Sequence, residues 1–219
     1  MSALPFPTLV IDTATAACSV ALVAGGRAVS RLHEEVGRGH AERLLPMIAE
    51  LPDGGRAARI LVDCGPGSFT GVRVGLAAAR GLGLGWDVTV LGYSSLALVA
   101  AQALAAAPKL ERVAAVLEGG HGEVFTQAFT RELQPMGDLA SLRPEAALDA
   151  LHGLALAGSG VPRLLALRPD LDAVAFLPDA GEAWRLPPAL AALPPRPLYG
   201  RAPDAKVKAA PDGAGVKGA

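Results

Sequence analysis

Residues 60–81 read ILVDCGPGSFTGVRVGLAAARG, and the rest of the chain is interpreted outward from this stretch. It begins with a short apolar run of the length of one buried strand. Gly65, Pro66 and Gly67 then interrupt the pattern with residues typical of a tight turn. Ser68 is a favourable residue to cap a helix, and apolar residues recur at helical spacing after it. We therefore predict a strand, a glycine turn and a helix.

One face of the predicted helix carries small residues four positions apart, namely Gly71, Gly75, Ala79 and Gly83. Each glycine costs a helix up to about 1 kcal/mol relative to alanine. The physical use of such a row is to let another backbone come very close. The row therefore predicts a docking surface or, at the start of the helix, the edge of a phosphate site. A bulky residue at Gly75 is predicted to block docking and to leave the fold nearly intact.

The composition describes a chain with a sizeable core and little net charge. It has 219 residues, of which 51% are hydrophobic, and a formal net charge of -1. This length suits one domain or two small lobes, and the near-zero charge argues against a protein that binds nucleic acid by itself. Cys18 and Cys64 lie in apolar runs and are predicted to be buried, reduced thiols. With no signal peptide and no run long enough to cross a membrane, we predict a cytoplasmic protein.

The first half of the chain shows an α/β order with a mixed sheet, in which three antiparallel strands precede alternating helices and strands. The hairpin signal is the Gly25-Gly26 pair between two apolar runs. The predicted elements are strands at 9–13, 19–24 and 27–33, a helix at 40–51, the strand and helix of the opening stretch, a strand at 88–91 and a helix at 95–107.

The second half begins after Pro108 and Lys109, which mark a boundary between lobes. We divide the chain into a first lobe at 1–107, a second lobe at 108–201 and a tail at 202–219 that is predicted to be mobile. The second lobe is predicted to contain strands at 112–117, 123–130, 154–157 and 173–177, a helix at 144–151, a helix at 180–193 that Pro187 and Pro188 interrupt, and an extended segment at 194–201.

Motifs for metal and covalent chemistry are incomplete in this sequence. Residues 33–37, HEEVG, begin like the zinc-protease motif HExxH but end in Gly37 instead of histidine. The Gly-x-Ser-x-Gly elbow of the α/β-hydrolases is absent, so Ser68 is interpreted as a cap or turn serine. We predict no catalytic residue, no metal ligand and no cofactor.

A nucleotide site is the alternative that these residues leave open. Asp12 and Thr13 end the first strand, where a carboxylate can hold a hydrated Mg²⁺ and a hydroxyl can contact phosphate. A polar turn in which Asp12 caps backbone groups is the other interpretation. The alternative function is a nucleotide-binding ATPase or phosphotransferase, with possible contacts from Asp12, Thr13, Gly65 and Ser68.

The helices at 40–51 and 69–85 are expected on one face of the sheet and carry more apolar residues than one buried side requires. Residues left over would form an exposed patch, which usually marks a protein interface. A pair of helices that uses all of these residues in its own core is the other interpretation.

Three segments resemble the TsaB (YeaZ) family: LVIDT at 9–13, GHAERLLPMI at 39–48 and, most specifically, GPGSFTGVRVG at 65–75. The resemblance implies an α/β fold of two ribonuclease-H-like lobes of the actin-like ATPase type, with the second lobe reduced. It also implies a degenerate relative of the catalytic subunit TsaD. The metal-binding His-x-x-x-His of TsaD is missing here, because Leu44 stands four residues after His40.

The resemblance implies a non-catalytic scaffold or activator subunit. Its complex transfers a threonylcarbamoyl group to the adenosine beside the anticodon of tRNAs that read codons starting with A. The implied partners are TsaD and the ATPase TsaE, with a homodimer when isolated, tRNA contact only through the complex and no membrane. The residues assigned to the partner or dimer interface are His40, Leu44, Leu45, Met47, Ile48, Gly71, Val72, Val74, Gly75 and Ala78.

Overall fold

The structure is a computed structural model and describes residues 7–198. The tail predicted to be mobile, residues 202–219, lies outside the described residues, as does the end of the predicted extended segment.

The first five strands form one mixed sheet in the order β3-β2-β1-β4-β5. β1 pairs antiparallel with β2 and parallel with β4, and β4 pairs parallel with β5. Gly25 and Gly26 both adopt positive φ at the hairpin turn between β2 and β3, as the sequence predicts. The strands are β1 (Thr8–Asp12), β2 (Ala17–Ala24), β3 (Arg27–Glu35), β4 (Arg59–Asp63) and β5 (Thr89–Tyr93).

Three helices cover this sheet, and their patterns of apolar residues explain their positions. They are α1 (His40–Glu50), α2 (Phe69–Trp86) and α3 (Ser95–Ala106). α1 and α2 share a core with Leu9 and Ile11 on one face of the sheet. α3 packs against Val10 and Leu61 on the other face. α3 is apolar on nearly every side, and such a helix is stable only when it is surrounded.

α3 is surrounded because a second five-stranded sheet covers its other side. This sheet has the order β10-β9-β6-β7-β8, and its residues Val113, Ala115 and Leu117 join the same core as α3. Two short helices, α4 (Pro144–Ala150) and α5 (Val161–Leu165), cover the far face. The strands are β6 (Arg112–Glu118), β7 (Val124–Thr130), β8 (Ala140–Leu142), β9 (Ala155–Ala157) and β10 (Ala173–Val174).

The two sheets repeat one plan, which confirms the expected fold of two ribonuclease-H-like lobes with a reduced second lobe. In each sheet, three strands pair antiparallel on one side and two further strands pair parallel on the other. In the second sheet, β6 pairs antiparallel with β7 and parallel with β9. β8, β9 and β10 have only three, three and two residues, whereas β1 to β5 have five to nine. The second lobe is therefore the smaller one.

The chain returns to the first sheet after β10. Arg31 on β3 forms an ion pair with Asp179, with 2.9 Å between Nη1 and Oδ2. Farther on, Leu193 and Gly92 form an antiparallel bridge beside β5. The division at 107/108 and 201/202 stays a prediction, and this segment, although in the second half of the sequence, packs against the first sheet.

One predicted helix is wrong. Residues 180–193 form two short 3-10 turns, Ala180–Arg185 and Pro188–Leu190, instead of one helix. Pro187 and Pro188 lack the amide hydrogens that an α-helix needs at those positions, so no α-helix can run through them. β8 and α5 were not predicted, because segments of three and five residues are too short to show a periodicity.

Candidate functional site

The start of α1 is fixed to the rest of the first lobe by a buried histidine. His40 Nε2 lies 2.9 Å from the carbonyl oxygen of Thr15 and 3.1 Å from that of Ala17. When Nε2 carries the proton, its N–H can donate to both carbonyl oxygens. His40, assigned from the sequence to a partner interface, therefore contacts the turn between β1 and β2 of its own chain.

Most of the other residues assigned to the interface also lie inside the first lobe. Leu44, Met47, Ile48 and Val72 belong to the core between the two helices and the sheet. Leu45 is different, because its side chain is 53% exposed on the outer side of α1. Val74 and Ala78 on α2 are partly exposed. In the isolated chain, three of the ten assigned side chains thus reach the surface.

The row of small residues on α2 faces inward. A Cβ atom added to Gly75 would lie 2.5 Å from Thr13 Oγ1, and one added to Gly71 would overlap the Thr13 carbonyl oxygen. Thr13 Oγ1 donates a hydrogen bond of 2.7 Å to the Gly71 carbonyl. The close backbone for which this row makes room is therefore that of the same chain. The prediction that a bulky residue at Gly75 leaves the fold intact is wrong, because it would strike Thr13.

The outer side of the two helices carries apolar residues that are uncovered in the isolated chain. Leu84 on α2 is 88% exposed, and a Cβ atom added to Gly81, one turn before it, would have no other atom within 4 Å. Leu45 occupies the corresponding outer position on α1, which contacts α2 directly. Small and apolar residues line both helices on this side, namely Ala41, Leu45, Ala49, Ala77, Gly81, Leu84 and Gly85. We call this set the outer α1–α2 face.

A cleft of about 1020 Å³ lies between the lobes. Its walls are the β1–β2 turn, the end of β3, the start of α2, the β6–β7 turn and residues 175–177 and 197–198. Ser68 lines this cleft and caps α2, because its Oγ accepts a hydrogen bond of 3.2 Å from Gly71 N. The wall does not include Asp12, Thr13 or Gly65, so only one of the four possible nucleotide contacts borders the cleft.

Asp12 and Thr13 form hydrogen bonds within the chain. Asp12 accepts from the amide of Ala14 at 3.2 Å and from the Tyr93 hydroxyl at 3.0 Å. Asp12 is 0% exposed, and burial raises the pKa of its carboxyl. A buried carboxylate with internal donors is a poor ligand for a hydrated Mg²⁺, which requires room for water.

Groups for covalent or metal chemistry are not assembled in the part of the chain that the structure describes. Burial raises the pKa of the Cys18 and Cys64 thiols to about 11, which keeps both thiols protonated near neutral pH. His33, the first residue of the incomplete zinc motif, lies on β3 and not on a helix. Within residues 7–198, no group of three or more His, Cys, Asp or Glu could hold a metal ion. Nor does this part contain a helix long and apolar enough to span a bilayer.

Some residues of the cleft and its surroundings were missed by sequence reasoning. Phe69 is 68% exposed at the start of α2, and the Arg73 guanidinium stacks on its ring at 3.3 Å from the centroid. The spacing of four between the two residues on a helix could have indicated this contact. Across the cleft, Glu118 pairs with Arg163, and nothing in their sequence spacing indicates this ion pair.

The comparisons with known proteins agree with the fold and with the quoted motifs. The family model described as TsaD, tRNA N6-adenosine threonylcarbamoyltransferase, matches residues 32–165. A Haemophilus influenzae protein named tRNA threonylcarbamoyladenosine biosynthesis protein TsaB is 40% identical over 129 residues. That match covers 57% of this chain and 54% of the relative, so it spans about half of the relative's length.

Two further matches extend over nearly the whole chain. An uncharacterized Mycobacterium tuberculosis protein is 34% identical over 212 residues, covering 90% of this chain and 93% of that protein. The structure of YeaZ from Pseudomonas aeruginosa is similar with a TM-score of 0.72 and 31% identity, covering 88% of this chain and 99% of that one. Because the YeaZ structure is matched over almost its whole length and the TsaB relative shares 40% identity, this chain belongs to the TsaB (YeaZ) family.

Proposed function

We propose that this protein is a non-catalytic scaffold subunit of a cytoplasmic tRNA-modifying complex. The complex transfers a threonylcarbamoyl group to the adenosine beside the anticodon of tRNAs that read codons starting with A. In this proposal the protein binds the catalytic subunit TsaD, acts together with the ATPase TsaE and reaches tRNA only through the complex. In isolation it forms a homodimer.

The observation that carries this proposal is the outer α1–α2 face. Its residues Leu45 and Leu84 are 53% and 88% exposed on adjacent helices, and small residues beside them allow another helix to approach closely. An apolar surface of this kind on a monomer is typical of a protein interface. Helices with small outer residues suit a helix-on-helix contact, in which interaxial distances depend on side-chain size.

The internal hydrogen bonds of Asp12 and Thr13 support a non-catalytic role. Both side chains lie at the end of β1, where the alternative ATPase would need them for Mg²⁺ and phosphate. Thr13 Oγ1 is committed to Gly71, and Asp12 is committed to Ala14 and Tyr93. To bind a nucleotide there, the chain would have to break these bonds and open a buried turn.

The interface is tested by charge substitutions at exposed positions, which spare the core. We expect Leu84→Glu to weaken binding to TsaD from the same organism about 30-fold, or about 2 kcal/mol, as at an interface hot spot. Leu45→Glu should have an effect in the same direction. Leu167→Glu is the matched control, because Leu167 is 49% exposed but lies on the second lobe. Binding is measured by calorimetry, and sedimentation of each variant alone reports the homodimer.

The result decides between the proposal and its alternative. If Leu45→Glu and Leu84→Glu both bind TsaD as the unsubstituted protein does, the outer face is not the docking surface. Calorimetry of the isolated protein with ATP and Mg²⁺ tests the ATPase alternative directly. Heat from stoichiometric nucleotide binding, lost in Asp12→Asn, would support the alternative against a scaffold role.

A further inference from the structure

Two buried carboxyl groups lie side by side where β1 and β4 end. These strands are parallel, with Ile11 opposite Val62, so Asp12 and Asp63 are the next pair in register. Successive side chains of a strand alternate between faces, which places both carboxyls on the face that packs against α3. Their residues are 0% and 1% exposed. Two negative charges at neighbouring dry positions would repel strongly.

The donors that the hydrogen bonds bring to the pair are neutral, so they do not compensate a second negative charge. Gly65 N donates to Asp63 Oδ1 at 2.7 Å, and Ser95 Oγ lies 2.8 and 2.7 Å from the two oxygens of Asp63. On the other carboxyl, Asp12 accepts only from the amide of Ala14 and the Tyr93 hydroxyl among these neutral donors. A carboxylate only accepts hydrogen bonds, so two neighbouring buried carboxyls can stabilise each other directly only when one of them is protonated.

We propose that Asp12 and Asp63 share one proton and that this protonated pair fixes the start of α2. The two carboxyls bind the two segments that meet at the start of α2, namely the β1–β2 turn and the loop after β4. Asp12 binds the amide of Ala14, and Asp63 binds the amide of Gly65. Between these points, Ser68 N donates a hydrogen bond of 2.7 Å to the Ala14 carbonyl, which joins the β1–β2 turn to the loop before α2.

The surrounding groups favour this arrangement. Burial and the neighbouring Asp12 charge raise the pKa of the Asp63 carboxyl well above its ordinary value. Tyr93 on β5 donates its hydroxyl to Asp12, and burial raises the pKa of Tyr93 as well. From β2 and the end of β4, Cys18 and Cys64 remain neutral thiols with a pKa of about 11. His33 on β3 provides a weak favourable interaction with the Asp12 charge.

The direction of the pH effect follows from proton linkage. Because the pKa of Asp63 is raised by folding, the folded chain retains a proton that the unfolded chain loses above the ordinary carboxyl pKa. The stabilisation is fully present at low pH and is lost as the pH rises through the raised pKa. Ionisation of Asp63 would leave two adjacent charges in the core and would release the loop before α2.

The stability test compares the unsubstituted protein with Asp63→Asn, which preserves a donor towards Asp12 and cannot ionise. We expect the urea midpoint of the unsubstituted protein to fall from mildly acidic to alkaline pH, and that of Asp63→Asn to change much less. Asp149→Asn, on the exposed side of α4, is the control and should follow the unsubstituted protein. Parallel pH curves for the unsubstituted protein and Asp63→Asn would overturn the shared proton.

Two measurements on the folded protein separate this role from a general effect on folding. Infrared spectroscopy at neutral pH should show the carbonyl stretch of a protonated carboxylic acid, and its absence overturns the proposal even if Asp63→Asn does not fold. In NMR spectra, the amide signals of Gly65 and Ser68 should titrate with the same midpoint as the stability, while that of Gly81 should not. Static Gly65 and Ser68 signals would show that the pair does not fix the start of α2.

Discussion

Helix α2 carries small residues on two faces, and the tertiary structure gives the two faces opposite environments. On the inner face, Gly75 lies against Thr13 and Gly83 lies against Val90 of the same lobe. On the outer face, Gly81 and Gly85 have open space around them, and Leu84 is 88% exposed. Small residues at regular spacing therefore predict a close approach, but they do not identify which surface approaches.

The inner face should be the less tolerant of the two, and Gly75→Leu is the strongest test of this difference. The new side chain would strike Thr13 and the core behind it, so we expect a loss of about 3 kcal/mol of folding stability, the upper end for overpacking. Urea denaturation measures the loss. The control is Gly85→Leu on the outer face, which should not destabilise the chain. Equal losses for both variants would remove the distinction between the faces.

A smaller effect on the inner face should come from Thr13→Val, which retains the shape of the side chain and removes its hydroxyl. The buried carbonyl of Gly71 would lose the donor that lies 2.7 Å away. Because this carbonyl keeps its helical partner, the amide four residues further on, we expect a loss of about 1 kcal/mol, the net contribution of a typical hydrogen bond. Thermal or urea unfolding measures it, with Thr89→Val at the exposed start of β5 as the control. If the two variants are equally stable, Thr13 does not hold α2 to the β1–β2 turn.

The smallest effect is expected on the outer face, and it has the opposite sign. Gly81→Ala adds a methyl group into open space and should stabilise α2 by about 0.5–1 kcal/mol, because alanine has the higher helix propensity. The same change at Gly71 should destabilise the chain, since its Cβ would overlap the Thr13 carbonyl. A destabilising Gly81→Ala, measured at low protein concentration, would mean that the outer face is already packed.

Much of the fold could be predicted because its elements have strong local signals. The two glycines of the first hairpin, the apolar stripe of α1 and the cap at Ser68 each act within a few residues. α4 was predicted with a proline near its start, and Pro144 is its first residue. Residues 180–193 were predicted to be helical with an interruption at Pro187 and Pro188, but the structure has only a short 3-10 turn before these prolines and another that begins at Pro188.

The candidate site could be predicted only in outline. Sequence reasoning selected the two helices that carry the exposed Leu45 and Leu84, but it assigned Met47 and Gly71 to a partner when both face their own core. It did not select Leu84, which is the most exposed of the large apolar residues that the structure describes. Which side of a helix faces a sheet depends on the crossing of the helix over the strands, and residue spacing alone does not determine this.

The sequence by itself determined the order of the strands and helices of the first lobe, the turn before α2 and the family, because these depend on local propensity and on contiguous motifs. Only the tertiary structure decided which glycines of α2 pack inward and that Asp12 and Asp63 lie side by side. Those two carboxyls are far apart in the chain, and the parallel register of β1 and β4 brings them together. That register is set by packing across the whole sheet, since a shift of one residue would turn every side chain to the other face.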